Sequence, residues 1–421
     1  MCHRKVPVLF ILSMNIIEEL SSQEVWFSFL ETKVASGNLN KSQIEDLSAF
    51  IQKKDYLSIV KKIENNERFL PPSKAIISKQ YSTKKRTVYI FSREENYVLK
   101  LLTYLLIRHY DHIFSKNLYS FRANHGVKKA IDYLKGDYYL AERYVYKVDI
   151  QNYFNSVDVY KLFPILKHVM DDEPKIYTFI ETLLSDSRAV LPNGEVITEN
   201  KGIMAGTPIS SFLANVYLYQ LDWHFFFKGN KYARYSDDII VFACNEKERQ
   251  DDILFIHSFF DRMSLSVNKD KEFLTNPHES WEFLGISYCD GIFDISKTSA
   301  NKLKKKMWRK SRALLRWKNH KKIDNRCAAK AFVKSFNKKL YENPVSSELT
   351  WTRWFFPIIN TTNTISILDH YMQDCIRYIA TEKRTKKRYA CKYNMIKDLG
   401  YKSMVHEYYK IKESIETHHT P

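Results

Sequence analysis

The chain has 421 residues, 44% of them hydrophobic and 14% aromatic, with 66 Lys and Arg against 48 Asp and Glu for a formal charge of +18. This apolar content excludes a disordered chain, the length implies two or three packed units, and the cationic excess points to a polyanionic partner. Six cysteines with no C-x-x-C pair exclude a zinc site and a disulfide framework, which fits a reducing, cytoplasmic setting.

Residues 1–14 carry a basic start and an apolar stretch, Val6 to Met14, that is too short to span a membrane and lacks a small-residue cleavage site. It reads as a packed tail, or as an extension ahead of a natural start at Met14. From residue 15 to about 70, Ile16, Ile17, Leu20, Val25, Phe27, Phe29 and Leu30 recur near helical spacing, and Asn40-Lys-Ser-Gln has the form of a capped helix start. Pro71-Pro72 breaks that pattern. A basic strand follows, with Lys84, Lys85 and Arg86, then an apolar helix from Tyr97 to Tyr110. The three cations, and Arg122 in Tyr119-Ser-Phe-Arg122, are candidates for gripping phosphates, since a guanidinium takes two phosphate oxygens at once.

The block from 141 to 295 predicts the order strand, helix, hairpin, helix, strand pair, helix, strand. Tyr146-Lys-Val-Asp149-Ile150 puts one acid inside a strand, and Pro192-Asn-Gly194 is a hairpin turn. Gly202 to Asp222 reads as a flexible loop feeding an apolar helix. Pro208 would start that helix, Gly206 would let the backbone approach a base pair, Ser210 and Asn215 would contact backbone or sugar, and Leu213, Val216 and Tyr217 would face the core. Ala233 to Ala243 then holds Asp237 and Asp238 in an apolar, β-branched run. Two unpaired acids there would cost several kcal/mol unless a cation meets them, and a divalent metal is the simplest one.

With Asp149 as the third ligand, the pattern suggests carboxylates converging on two magnesium ions, the chemistry of a nucleotide polymerase. Asp149 and Asp237 would bridge the ions and Asp238 would hold the pair in place; Ile150 completes the metal and nucleotide-binding set. A strand with Asp149, a helix after Gly206 and a hairpin with Asp237 and Asp238 also give the split βαββ arrangement of a polymerase palm. Phe154, five residues after Asp149, would set a ring against the sugar of an incoming nucleotide and disfavour a 2′ hydroxyl, ordinary core packing being the alternative. Lys269 and Lys271 follow Leu265-Ser-Val-Asn268, and Lys271 is the preferred general acid for the departing pyrophosphate.

Residues 296–421 read as helical and basic. In Lys302 to Lys318, Leu303, Met307, Leu314 and Trp317 would face inward while Lys304, Lys305, Lys306, Arg309, Arg312 and Arg316 face a nucleic-acid duplex. Lys383 to Arg388 has the same character. Lysine-rich helix faces are also common as plain solvated surfaces.

The ordered segments Arg86, Phe121-Arg122, Val148 to Phe154, Gly202 to Ser210, Tyr235-Ser-Asp-Asp238, Val267 to Lys271 and Phe283-Leu-Gly-Ile286 resemble those of the reverse transcriptases. The resemblance implies an α+β right-hand polymerase. Its parts would be an N-terminal helical extension (1–72), fingers (73–140), a palm (141–295, with a fingers insertion at about 156–200) and a helical basic thumb (296–421). It implies RNA-templated DNA synthesis with two Mg2+ ions, deoxynucleoside triphosphates, an RNA template and a DNA product. Within the family the chain is similar to the bacterial group II intron and retron lineage, and most to defence-associated enzymes of anti-phage systems, abortive-infection types included; the first expectation is an enzyme that copies a dedicated noncoding RNA. Met204-Ala205-Gly206 departs from the Pro-Gln-Gly frequent there, no Asn-Ala-x-x-His or Val-Thr-Gly segment occurs, and no nuclease or maturase domain is expected after the thumb. Two alternatives stay open: a template-independent or protein-primed DNA polymerase, and a non-catalytic RNA-binding module, which intact acids disfavour.

Overall fold

The computed structural model describes residues 14–37, 39–78, 85–342 and 351–417; the stretch before Met14 and Lys84 lie outside these. The chain divides into two compact units, the second holding residues 275–421 with the short segments 36–38 and 138–143. No described helix is long and apolar enough to cross a membrane. All the described cysteines are free thiols.

In the first unit, α1 (Ile16–Ser21), α2 (Gln23–Ala35), α3 (Lys41–Gln52) and α4 (Tyr56–Glu64) form an N-terminal layer. Asn15 and Asn40 cap α1 and α3 as reciprocal capping boxes with Glu18 and Gln43, as the sequence predicts for Asn40. Trp26 centres the layer, its ring meeting Phe29, Phe50 and Tyr56, and the layer packs on α5 (Arg93–Tyr110) through Phe29 against Tyr104 and Phe50 against Tyr97. Glu19 is wholly buried and is held by Arg108 at 2.5 Å and His109 at 3.0 Å, as a buried carboxylate requires. One apolar core runs from Ile16 to Leu265, so the N-terminal helices share their interior with the strands and helices of the rest of this unit.

Strands β1 (Ser73–Ser78) and β2 (Lys85–Ile90) pair antiparallel. After α6 (Val127–Lys135), β3 (Tyr144–Asp149), α7 (Tyr153–Ser156), α8 (Val159–Val169) and α9 (Pro174–Ser185), the hairpin β4 (Arg188–Val190) and β5 (Val196–Thr198) joins that sheet, in the order β2-β1-β4-β5. Its Pro192-Asn-Gly194 turn has Gly194 at φ +87°, where a side chain is disfavoured. The helix after Gly206 is two: α10 (Ser210–Tyr217) and α11 (Tyr219–Lys228), broken at Leu218 with no Gly or Pro to announce it. Leu213, Val216 and Tyr217 are buried as expected. Strands β6 (Lys231–Tyr235) and β7 (Asp238–Ala243), with α12 (Glu246–Arg262) and β8 (Phe273–Thr275), complete a second sheet ordered β6-β7-β3-β8. This is the split arrangement of β3, helix, β6 and β7.

In the second unit, β9 (Trp281–Phe283), β10 (Ile286–Cys289) and β11 (Ile292–Ile295) form an antiparallel sheet joined by a turn with Leu284 and Gly285 at positive φ. Thus these strands group with the helices, whereas the sequence-based division places them in the palm. The helices are α13 (Lys297–Lys321), α14 (Asn325–Leu340), α15 (Trp351–Phe355), α16 (Asn363–Thr381), α17 (Tyr393–Asp398) and α18 (Met404–Thr417). Ser296 and Asp324 cap α13 and α14. The buried stripe of α13 is Ala300, Leu303, Met307, Ser311 and Leu314. Its next member by helical spacing is Lys318, so Trp317 falls off the stripe and is 43% exposed, correcting the inward placement.

Candidate active site

Antiparallel pairing sets Asp149, the last residue of β3, directly opposite Asp238, the first of β7. Tyr235 pairs with Asp238 across the hairpin, leaving Ser236-Asp237 as its two-residue loop, and the Ile150 amide donates to the Asp237 carbonyl at 3.2 Å. Ser236 has φ +62°, the positive value that tight turns between twisted strands require at their first central residue. All three predicted acids therefore meet at one end of the sheet.

Their charges are only partly answered. Burial, then the neighbouring Asp149, raises the Asp237 carboxyl above the usual carboxylate range. Asp238 is pushed up to about 6 by burial, with Lys147 working against it and Asp149 and Asp237 adding to it. Lys147 Nζ stands 3.3 Å from Asp238 Oδ1. Asp149 accepts from Lys271 Nζ at 2.6 Å and from Asn268 Nδ2 at 3.1 Å. Among the described residues no three acids, histidines or cysteines are arranged as a cage for a metal ion. The donors nonetheless suit a hard divalent cation: they are carboxylate oxygens, Asp149 buried and Asp237 and Asp238 half-buried, and carry more negative charge than the two lysines cancel.

A brace missed in the sequence holds the hairpin. Arg234 and Asp222 are both 0% exposed and pair through two bonds of 2.7 and 2.6 Å, and the Tyr232 hydroxyl donates to the same carboxylate at 2.8 Å. Arg234 also donates to the carbonyls of Ser236 (3.2 Å) and Asn215 (3.4 Å). Ser120 Oγ accepts the Ser236 amide at 2.9 Å, and Asn215 Nδ2 donates to the Ser120 carbonyl. The strained Ser236 is thus fixed by buried polar contacts on both its amide and its carbonyl. Lys147 had a sequence signal, since it shares a strand face with Asp149 two residues on. The partnership of Asp222 with Arg234 had none.

Other predicted residues fall in three groups. Phe154 is half-buried and meets Phe121 at 6.3 Å, whose ring reaches Tyr235 at 6.5 Å, so it belongs to a ring cluster beside the acids. Arg86 is exposed on β2 and lies close enough to favour ionised Asp237. Ile150 is buried and bridges to Val267.

Burial overturns three expectations. Arg122 spends its guanidinium on both Asp111 oxygens (2.7 and 3.0 Å) and on the carbonyls of Ser115 and Leu118, so it is an internal staple rather than a phosphate ligand. Ser210 is buried and donates to the Thr207 carbonyl at 2.7 Å. Gly206, at φ +100°, packs on β2, where a Cβ would meet Val88 Cβ at 2.9 Å; its smallness serves this contact rather than a base pair.

On α13 the cations divide. Lys305, Arg309, Arg312 and Arg316 form one exposed stripe at helical spacing. Lys304 and Lys306 are half-buried: Lys304 lies 5.6 Å over the Tyr371 ring, and burial, then Lys339 and Lys302, lowers the Lys306 ammonium.

Residues 77–288 match the family model described as reverse transcriptase (RNA-dependent DNA polymerase), half of the chain. Apo telomerase from Candida tropicalis is similar at 12% identity and a TM-score of 0.48 over 79% of this chain and 60% of that one. A form of it truncated from the C-terminal domain gives 11% and 0.43 over 54% and 55%. Candida albicans telomerase with a TWJ fragment of telomeric RNA gives 11% and 0.44 over 84% and 71%. The chain thus spans 55% and 60% of the two Candida tropicalis structures. A search of curated proteins found no match. With its acids meeting at the end of a split βαββ sheet and half its length matched by the family model, the chain belongs to the reverse transcriptase family and has that family's α+β right-hand fold.

Proposed function

We propose that the protein is an RNA-directed DNA polymerase. The observation that carries this reading is the register that sets Asp149 opposite Asp238 with Asp237 in the loop between β6 and β7. Asp149, Asp237 and the Ile150 carbonyl would hold two Mg2+ ions. Bound there, the ions supply the positive charge that aligns a primer hydroxyl and steadies a triphosphate. Asp238 positions the hairpin through Lys147. Arg86 takes triphosphate oxygens, and the Phe121, Phe154 and Tyr235 rings border the sugar. Lys271, paired with Asp149 at 2.6 Å, carries the proton that the leaving pyrophosphate takes up. The exposed stripe on α13 tracks the phosphates of the primer–template.

The finer reading, a bacterial defence enzyme that copies a dedicated noncoding RNA, is supported by the order of the motifs and by the Met204-Ala205-Gly206 departure. Sequencing the nucleic acid that copurifies with the protein tests it: one recurrent RNA with complementary DNA is expected, and a random mixture contradicts it. The activity is tested with Mg2+, a DNA primer and homopolymeric RNA templates. Each template should direct incorporation of its complementary deoxynucleotide alone. Incorporation indifferent to template would favour untemplated synthesis, and RNA binding without product would favour a binding module.

A further inference from the structure

Between Lys383 and Lys397 lie seven cations and no acid. The segment is not a loose tail. Cys391, Ile396 and Leu399 are buried, the Arg377 Nε donates to the Cys391 carbonyl at 3.4 Å, and Arg388 pairs with Asp374 at 2.9 Å. These anchors fix a 3-10 turn, Lys386–Ala390, and α17 against α16. Lys383, Arg384, Lys386, Lys387 and Lys392 are left exposed.

Rings are interleaved with these charges. The guanidinium carbon of Arg384 lies 5.0 Å over Trp308 and 5.5 Å over Tyr378, which stack on each other at 5.2 Å. Arg377 and Arg388 approach the Tyr389 ring at 5.2 and 4.8 Å, and Lys397 sits 5.0 Å over Tyr393. Tyr389 and Tyr393 are nevertheless 44% and 39% exposed. On α13, Trp308 is three residues from Lys305 and four from Arg312, so this surface adjoins the basic stripe.

Charge alone fits any polyanion. Flat rings between guanidinium groups fit one whose own rings are open to stacking, which a duplex hides and a single strand offers. We propose that residues 383–397 anchor a single-stranded RNA segment apart from the primer–template, with Lys383, Lys386 and Lys387 on phosphates and bases stacked on Tyr389 and Tyr393. The choice of RNA over DNA rests on the polymerase reading above.

The test is fluorescence anisotropy of labelled oligouridylate, with excess unlabelled primer–template duplex present. Lys383→Ser/Lys386→Ser/Lys387→Ser should lower the salt slope of affinity by about 2 and weaken binding about tenfold or more at moderate salt. Tyr389→Ala/Tyr393→Ala should weaken it about fivefold to a hundredfold with the slope unchanged. Wild-type affinity in both variants overturns the proposal, as does an equal loss of affinity for blunt duplex RNA. Patch-dependent binding by a protein that makes no DNA would leave the anchor standing and remove the polymerase reading; template-directed synthesis with variant-independent binding would do the reverse.

Discussion

Asp238 carries a charge that the fold resists. Burial pushes its carboxyl up to about 6 in the folded protein from the ordinary 3.8, so the folded state binds more protons between these values and loses stability as pH rises through them. Asp238→Asn should therefore be more stable than wild type at pH 7 in chelator, by up to about 3 kcal/mol, with the gap closing toward pH 4. Thermal melts across that range measure it, and a variant less stable at pH 7 would contradict the stated balance of burial over Lys147. At this scale the acids were legible because carboxylates set in apolar, β-branched runs of sequence have few bland explanations. Arg122 and Ser210 misled because a sequence shows a donor but not the internal acceptors that consume it, here Asp111 and the Thr207 carbonyl.

The hairpin of β6 and β7 depends on a buried ion pair whose work is geometric. Removing one partner, as in Arg234→Met, should destabilise by about 3–5 kcal/mol because Asp222 is left charged and buried. Asp222→Leu/Arg234→Met should recover much of that stability, yet kcat should stay at least about tenfold down with KM little changed, because Ser236 loses the donor on its carbonyl. If kcat recovers together with the melting temperature, the pair is merely structural. On α13, replacing Lys305, Arg309, Arg312 and Arg316 by Gln should flatten the salt dependence of primer–template affinity by about 3 units; an unchanged slope would make the stripe a solvent face. Helical spacing made the existence of this stripe legible. It did not show that Lys304 lies over the Tyr371 ring or that Lys306 is half-buried, because both flank the buried Leu303 and Met307 and the neighbours that cover them come from distant parts of the chain.

Over the whole molecule, the split βαββ core was legible from acids, turn residues and strand periodicity spread along 141–243, each pointing to the same topology. The grouping of β9, β10 and β11 with the helical unit was not, since short alternating strands look alike wherever they pack. Nor did local pattern reveal that the N-terminal helices share one core with the palm strands, a matter of long-range contacts such as Glu173 accepting the Ile16 amide at 2.7 Å. The central claim is that the acids at the meeting point of β3 and β7 form the polymerising centre. The most direct measurement is primer extension on an RNA template by wild type, Asp149→Asn and Asp237→Asn at matched thermal stability and RNA affinity. The wild type should make DNA while each variant loses about a thousandfold or more in rate; extension by either variant at the wild-type rate would contradict the account.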